Sequence, residues 1–248
     1  YLCFNTQKPP LDDVHVRRAI SYAIDYSQGL ALILYHGTQS RGALPSALWG
    51  WSEETFQYNK DMEKAREELS ESQYPDGGFT LTYLWCTGAW EERRVGELLQ
   101  SCLSELNIDV VIEEQTWATL TATTTTPETA RDIVALFDFV TAPDCHFTLA
   151  ERFHSSRIPP GGYNWDYYNN SAVDTLLDEA MREIDREKRA DLYHQVDEIL
   201  VDEAVCGFMW EETKIVTMGS WVHGFVPNPC LVETFNFYDM YTVENEKP

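Results

Sequence analysis

Basic residues are scarce in this chain. Its 248 residues hold 18 Lys and Arg against 41 Asp and Glu, a formal net charge of −23. Nucleic-acid phosphates demand stripes of Lys and Arg, so no nucleic acid is expected to touch this segment. An anionic membrane surface is disfavoured for the same reason. The acidity suits cationic or zwitterionic ligands, although solubility or adaptation to salt is the plainer account of it. Long apolar runs are also missing: none reaches the about 18 residues that a membrane span needs. No basic region, apolar stretch and cleavage site open the chain. It begins inside a motif at Tyr1, so a piece of a longer protein is expected.

Catalytic signatures are absent too. There is no G-x-S-x-G elbow, no H-E-x-x-H and no glycine-rich phosphate loop. The adjacent Cys145 and His146 do not make a dyad, because chain neighbours seldom face each other. Acid pairs such as Glu91-Glu92 and Glu211-Glu212 follow from the abundance of acids. The histidines are expected in separate elements; His146, His154 and His194 could ligate a metal, but the first reading is that they are solvated or satisfied within the structure. The six cysteines (Cys3, Cys86, Cys102, Cys145, Cys206, Cys230) show no C-x-x-C spacing, which removes zinc and thioredoxin-type chemistry. Mostly unpaired cysteines hint at a reducing compartment. Cys86 and Cys102 read as core thiols. No enzyme activity, catalytic residue, cofactor or metal is assigned.

What is present begins with the run FNTQKPPLDDVHVRRAISYAID, Phe4 to Asp25. Leu2 to Thr6 reads as a strand, Pro9 and Pro10 hold the backbone extended, and Asp12 or Asp13 caps a helix. Val16, Ile20, Ala23 and Ile24 recur at helical spacing, with Arg17 and Arg18 turned elsewhere. A second short helix spans Ser27 to Tyr35. Arg41 to Trp51 is loop, and Asp61 caps a helix with Met62, Ala65 and Leu69 on one face. Pro75 to Gly78 is a turn.

Strand Phe79 to Cys86, helix Glu91 to Leu106 and strand Ile108 to Ile112 form a βαβ unit with parallel strands. Trp117 opens a short helix, Thr119 to Thr126 is a Thr-rich loop closed by Pro127, and Asp132 to Val140 is a third core strand. Phe147 to Phe153 gives a helical turn or two, and Ser155 to Asn170 is an irregular aromatic loop. Two helices follow, with Val173, Leu176, Leu177, Ala180 and Ile184 on one stripe and Leu192, Val196, Ile199 and Leu200 on the other. Ala204 to Met218 reads as strand.

The opening run resembles the segment of the family 5 extracellular solute-binding proteins of ABC transporters where the chain leaves one lobe and enters the other. The usual form there is close to FNT-x-x-P-P-[LF]-x-D-V-R-V-R-x-A-[IL]-x-Y-A-[IL]-D, and only His15 replaces its commonest Arg. YNKDMEKAREELSESQYPDGGF and YYNNSAVDTLLDEAMREIDREKRADLYHQVDEIL resemble two further blocks of that family, with Gln73 where Gly is usual. The tail from Trp221 to Tyr241 is similar to the family's exit from this lobe. The resemblance covers nearly the whole chain. It implies an α/β fold, a periplasmic-binding-protein-like lobe with a mixed sheet and flanking helices. Residues 1–235 would be lobe II, reached through a hinge strand at 1–8, with 236–248 returning toward a lobe I that is not in this sequence. Cys3 and Cys230 would become neighbours, and candidates for a disulfide, if both cross that hinge.

Ligands of open α/β sheets gather at the carboxyl ends of strands, which directs attention to FDFVTAPDCHFTL, Phe137 to Leu149. Peptide-binding relatives are similar to G-W-x-A-D-Y-x-D-P-x-x-F-L here, their aspartate pairing with a peptide α-amino group. Placing Pro143-Asp144 on the family's D-P puts Thr141 at the aspartate position and Asp138 at the tryptophan. Thr141 can hydrogen-bond a ligand but cannot neutralise an ammonium. Either Asp138 or Asp144 supplies the charge, or the ligand is not a free-amino peptide. The alternative leaves Asp138 on a strand edge and Asp144 as a helix cap. Trp117, Trp165 and Tyr163, together with Tyr167 and Tyr168, are candidate cleft aromatics, with core packing as the competing role.

The resemblance implies a substrate-binding component of an ABC importer, extracytoplasmic, taking peptides or a similar small solute by lobe closure and docking on a membrane permease. The alternative is the ligand-sensing module of a cytoplasmic helix-turn-helix regulator of the sugar-phosphate-stress type, favoured by the missing aspartate and the unpaired cysteines.

Overall fold

A computed structural model describes residues 1–137, 140, 142–227 and 237–243. The chain opens with β1 (Leu2–Phe4), then α1 (Val14–Ala23), α2 (Tyr26–Leu32), β2 (Gly37–Gln39) and α3 (Met62–Glu71). Next come β3 (Phe79–Cys86), α4 (Trp90–Ser104), β4 (Ile108–Gln115), α5 (Trp117–Thr123) and β5 (Ile133–Ala135). The remainder holds α6 (Cys145–Phe153), α7 (Ser171–Arg182), α8 (Arg186–Asp202), β6 (Cys206–Gly207), β7 (Trp210–Glu212), β8 (Val222–His223) and β9 (Tyr241–Thr242).

Short polar side chains start most of the helices. Asp13, Asp61, Asn170 and Asp185 each accept an amide hydrogen from the first turn of the helix that follows, satisfying donors that have no intrahelical partner. The second oxygen of Asp13 accepts from Gln73 N (2.9 Å), which ties the first cap to the end of α3. The two helices are also joined by His15 Nδ1 and Glu68 Oε2 at 2.8 Å.

The main sheet runs β4-β3-β5-β1-β6. β3 is parallel to both β4 and β5, while β1 is antiparallel to β5 and β6. The crossover expected between Phe79 and Ile112 is there: β3, α4 and β4 form a parallel βαβ unit, with Phe79 opposite Ile108 and the pairing continuing to Cys86 opposite Gln115. Leu99 and Leu103 of α4 are fully buried beside Leu81 and Tyr83 of β3.

Several local expectations are corrected. The segment after Thr6 turns rather than extends, closed by Asp12 N–H to Lys8 O (3.1 Å) and Asp13 N–H to Pro10 O (3.3 Å). Arg17, off the apolar stripe by spacing, is nevertheless buried, and its guanidinium donates to Leu11 O (2.8 Å), Glu203 O (2.8 Å) and Ala204 O (3.2 Å). It fastens the corner to the end of α8, where helix carbonyls lack partners.

The Thr-rich stretch is helical as far as Thr123: Thr116 caps it by accepting from Thr119 N–H (3.4 Å) and buried Leu120 anchors it, while the Thr121 and Thr124 hydroxyls bond back to Trp117 O (3.0 Å) and Leu120 O (3.1 Å). β5 is three residues long; Leu136 extends its pairing to Tyr1, and the rest of the expected strand includes 138 and 139, outside the described residues. The expected strand at Ala204–Met218 divides, since β6 pairs with β1 and β7 pairs with β2. Ile184 is exposed rather than part of the α7 stripe, because α7 ends at Arg182.

Candidate functional site

β3 and β5 are parallel, so their carboxyl ends share one edge of the sheet. β1 runs against β5, and β6 runs against β1. The first residue of β1 and the last of β6 therefore reach that same edge. A cleft of about 450 Å³ opens there, where strand order and direction leave room for a ligand.

Its floor is Tyr1 and Leu2 with Ala135, Leu136, Phe137 and Val140. Thr148, Arg152 and Phe153 of α6 form one wall, and Glu92 and Val95 from the start of α4 form another. Loop residues 42–47 and the segment 208–214 close the remaining side. Two carboxylates hold that loop. Glu211 accepts from Ser46 N–H (3.0 Å) and Ser46 Oγ (2.7 Å). Buried Asp197 accepts from Ala43 N–H at 2.7 Å. Burial is the largest influence on Asp197 and pushes its carboxyl up to about 7.

Glu92 is buried in the first turn of α4, and its Oε2 accepts from Cys86 N–H (2.9 Å). Burial raises its carboxyl above the usual range. Arg152 lies over two rings, with Cζ 5.7 Å from the Tyr1 centroid and 5.7 Å from that of Tyr163. Its Nη1 donates to Tyr163 O at 3.4 Å. The cleft thus combines an apolar floor with a guanidinium, carboxylates and Lys214. Among its described lining residues there is neither His nor Cys. That set suits reversible capture of a small charged or zwitterionic molecule.

The residues singled out from the sequence are distributed differently. Asp138 and Thr141 lie outside the described residues, as does Cys230. Asp144 caps α6 by accepting from His146 N–H (2.8 Å), and the same oxygen accepts from Arg189 Nη2 (3.0 Å). Trp165 is only 6% exposed and packs against Trp117, ring centroids 5.7 Å apart. Trp117 itself is 53% exposed, and Tyr163, at 57%, stands beside Arg152. Tyr167 and Tyr168 are buried; the Tyr168 hydroxyl donates to Glu203 Oε2 (2.8 Å).

None of Asp144, Trp117, Trp165 or Tyr163 is among the described residues lining the cleft. Glu92, Arg152 and Glu211 are, and sequence reading passed over all three as cleft residues. The one available signal was position: Arg152 follows the FTL motif by one helical turn, and Glu92 follows the carboxyl end of a parallel strand. His146 and His154 are not in separate elements as expected: His146 lies in the first turn of α6 and His154 caps its end, hydrogen-bonded to Ser156 Oγ (2.8 Å).

A mixed sheet with a cleft at the carboxyl ends of its strands defines a binding lobe of the periplasmic-binding-protein class. The family model for bacterial extracellular solute-binding proteins, family 5 (middle region), matches residues 1–175, and the chain belongs to that family. It is 31% identical over 250 residues to the probable D,D-dipeptide-binding periplasmic protein DdpA of Escherichia coli, covering 97% of this chain and 46% of the relative. Heme-binding protein A of Haemophilus influenzae is 29% identical, with 95% and 43% covered. The periplasmic binding protein DppA of Helicobacter pylori, solved with the peptide STSA, superposes at TM-score 0.82 with 24% identity, over 98% of this chain and 46% of that one. The chain spans about half the length of the curated relatives it matches.

Proposed function

We propose that this chain is lobe II of a substrate-binding component of an ABC importer, and that it captures peptides or a similar small solute by lobe closure. The cleft carries this reading: it opens around Tyr1, the first residue of the strand on which the family resemblance locates the hinge. The second lobe of the complete protein supplies the facing wall. Ligand contacts made to both lobes shift the population from open to closed, with no chemical step and no cofactor. Arg152 receives a ligand carboxylate, and the acids at the rim favour an ammonium. Asp138 and Thr141, neighbours in sequence of the floor residues Phe137 and Val140, complete the polar contacts.

The protein works outside the cytoplasm and delivers its ligand to a membrane permease. Relatives whose names place them in the periplasm support this over the cytoplasmic regulator. The test is calorimetry on the protein with both lobes, using a panel of di- and tripeptides together with mass spectrometry of any solute that copurifies. Binding at micromolar affinity or tighter is expected. A panel without heat of binding, and a preparation without bound solute, would end the proposal.

A further inference from the structure

Two neighbouring strands carry cysteines at facing positions. Cys3 of β1 and Cys206 of β6 are register partners in the antiparallel pair. The backbone hydrogen bonds show which kind of pair they form. Tyr1 and Leu136 exchange both bonds, Tyr1 N to Leu136 O at 2.9 Å and Leu136 N to Tyr1 O at 3.0 Å. Alternation along the strand then places Cys3 and Val134 in the same hydrogen-bonded class, and Asn5 N to Asp132 O at 2.9 Å continues it. The Cys3 amide and carbonyl therefore face β5.

Toward β6, Cys3 occupies a non-hydrogen-bonded site. Facing Cα atoms at such sites lie about 4.5 Å apart, with their side chains on one face and at their closest. A disulfide needs a Cα separation of about 4.4–6.8 Å. Each of these cysteines is 1% exposed, and both lie within electrostatic reach of the Asp166 carboxyl. The other described cysteines, Cys86, Cys102 and Cys145, belong to β3, α4 and α6 and face no cysteine across a strand pair.

We propose that Cys3 and Cys206 are an oxidisable pair that closes to a cross-strand disulfide, stapling the strand that floors the cleft to the strand that leads into its wall. The oxidant is a second disulfide, either of a dithiol oxidase or of oxidised glutathione. One cysteine thiolate attacks it, expels a thiol and leaves a mixed disulfide; the other thiolate attacks the protein sulfur and expels the second thiol. The protein gives up two electrons and two protons, and the oxidant's disulfide becomes two thiols.

Burial raises both thiols far above their ordinary value, with the Asp166 carboxyl adding to it. The packed pair is a weak nucleophile. Closure therefore belongs to folding, before the two-residue edge strand β6 docks, and the finished bond is shielded from reductant.

The experiment refolds the protein from denaturant in a glutathione redox buffer, alkylates it under denaturing conditions and maps the peptides by mass spectrometry. Expected are two thiols fewer among the six of this chain, a linked pair of peptides carrying Cys3 and Cys206, and resistance to dithiothreitol until the protein is unfolded. The oxidised form should melt on the order of 5–10 °C above the reduced form. Cys206→Ser removes the link; should that variant fail to fold, mapping of the unsubstituted protein decides alone. Six alkylated thiols, a glutathione adduct in place of the link, or Cys3 joined to any other cysteine, Cys230 included, overturns the proposal. A link without any rise in melting temperature overturns the stapling role.

Discussion

Asp166 Oδ1 accepts the amide hydrogen of Phe4 at 2.9 Å, joining the aromatic loop to β1 across 162 residues of chain. The backbone carbonyl of Asp166 adds two more bonds, from Thr6 N–H (3.0 Å) and Thr6 Oγ1 (2.8 Å). β1 is too short to hold itself, and this loop supplies partners that its end would otherwise lack.

Burial pushes the Asp166 carboxyl up to about 8, whereas an unfolded aspartate ionises near about 3.9. The fold therefore favours the neutral acid. The stability this contributes is fully present below the unfolded value and is lost as pH rises through the folded one. Asp166→Asn keeps the acceptor for Phe4 and cannot ionise. Urea unfolding from pH 5 to pH 9 should show the variant gaining on the unsubstituted protein by on the order of 3 kcal/mol. A difference that stays flat with pH would refute this.

Gly42 gives a second prediction. A Cβ there would lie 2.4 Å from Asp197 Oδ1, and Asp197 is locked by Ala43 N–H and its own burial. Gly42→Ala should cost about 1–3 kcal/mol and displace the loop that walls the cleft. Calorimetric melting reads the first effect, and weakened ligand binding in the two-lobed protein reads the second.

Arg17 holds carbonyls of two separate segments. Arg17→Lys keeps the charge but lacks the planar fork, so Leu11, Glu203 and Ala204 cannot all be satisfied at once. A loss of about 2–4 kcal/mol in denaturant midpoint analysis is expected, close to that of Arg17→Met. If lysine proves equivalent to arginine, charge rather than geometry secures the corner.

Arg152 is expected to matter for binding more than for folding. Arg152→Ala in the two-lobed protein should weaken a ligand bearing a carboxylate by about tenfold or more, and should leave an amidated analogue of the same ligand nearly unaffected. Equal losses for both ligands would remove the carboxylate assignment.

Net charge makes the last prediction. At −23 the chain repels itself, and added salt screens that repulsion. The melting temperature of the 248-residue chain should rise steadily between low and about 1 M sodium chloride. A fall over that range would show that local ion pairs such as Arg131–Glu113 (2.6 Å) outweigh the global repulsion.

Much of the architecture is local in origin and could be read from the chain. Asp13 and Asp61 sit just before apolar periodicity, and Phe79 to Gln115 alternates and runs in the manner of a βαβ unit; each signal acts within a few residues of its cause. The family motif from Phe4 to Asp25 belongs to the same category. Tertiary structure alone decided that Arg17 is buried, that Trp165 packs in the interior while Arg152 and Glu92 reach the cleft, and that Cys3 faces Cys206. Those outcomes depend on strand register and on which helix covers which face, and for Arg17 with Glu203 and for Cys3 with Cys206 the partner lies more than a hundred residues away. A side chain's type limits what it can do; the dielectric and the neighbours that fold around it determine which of those things it does.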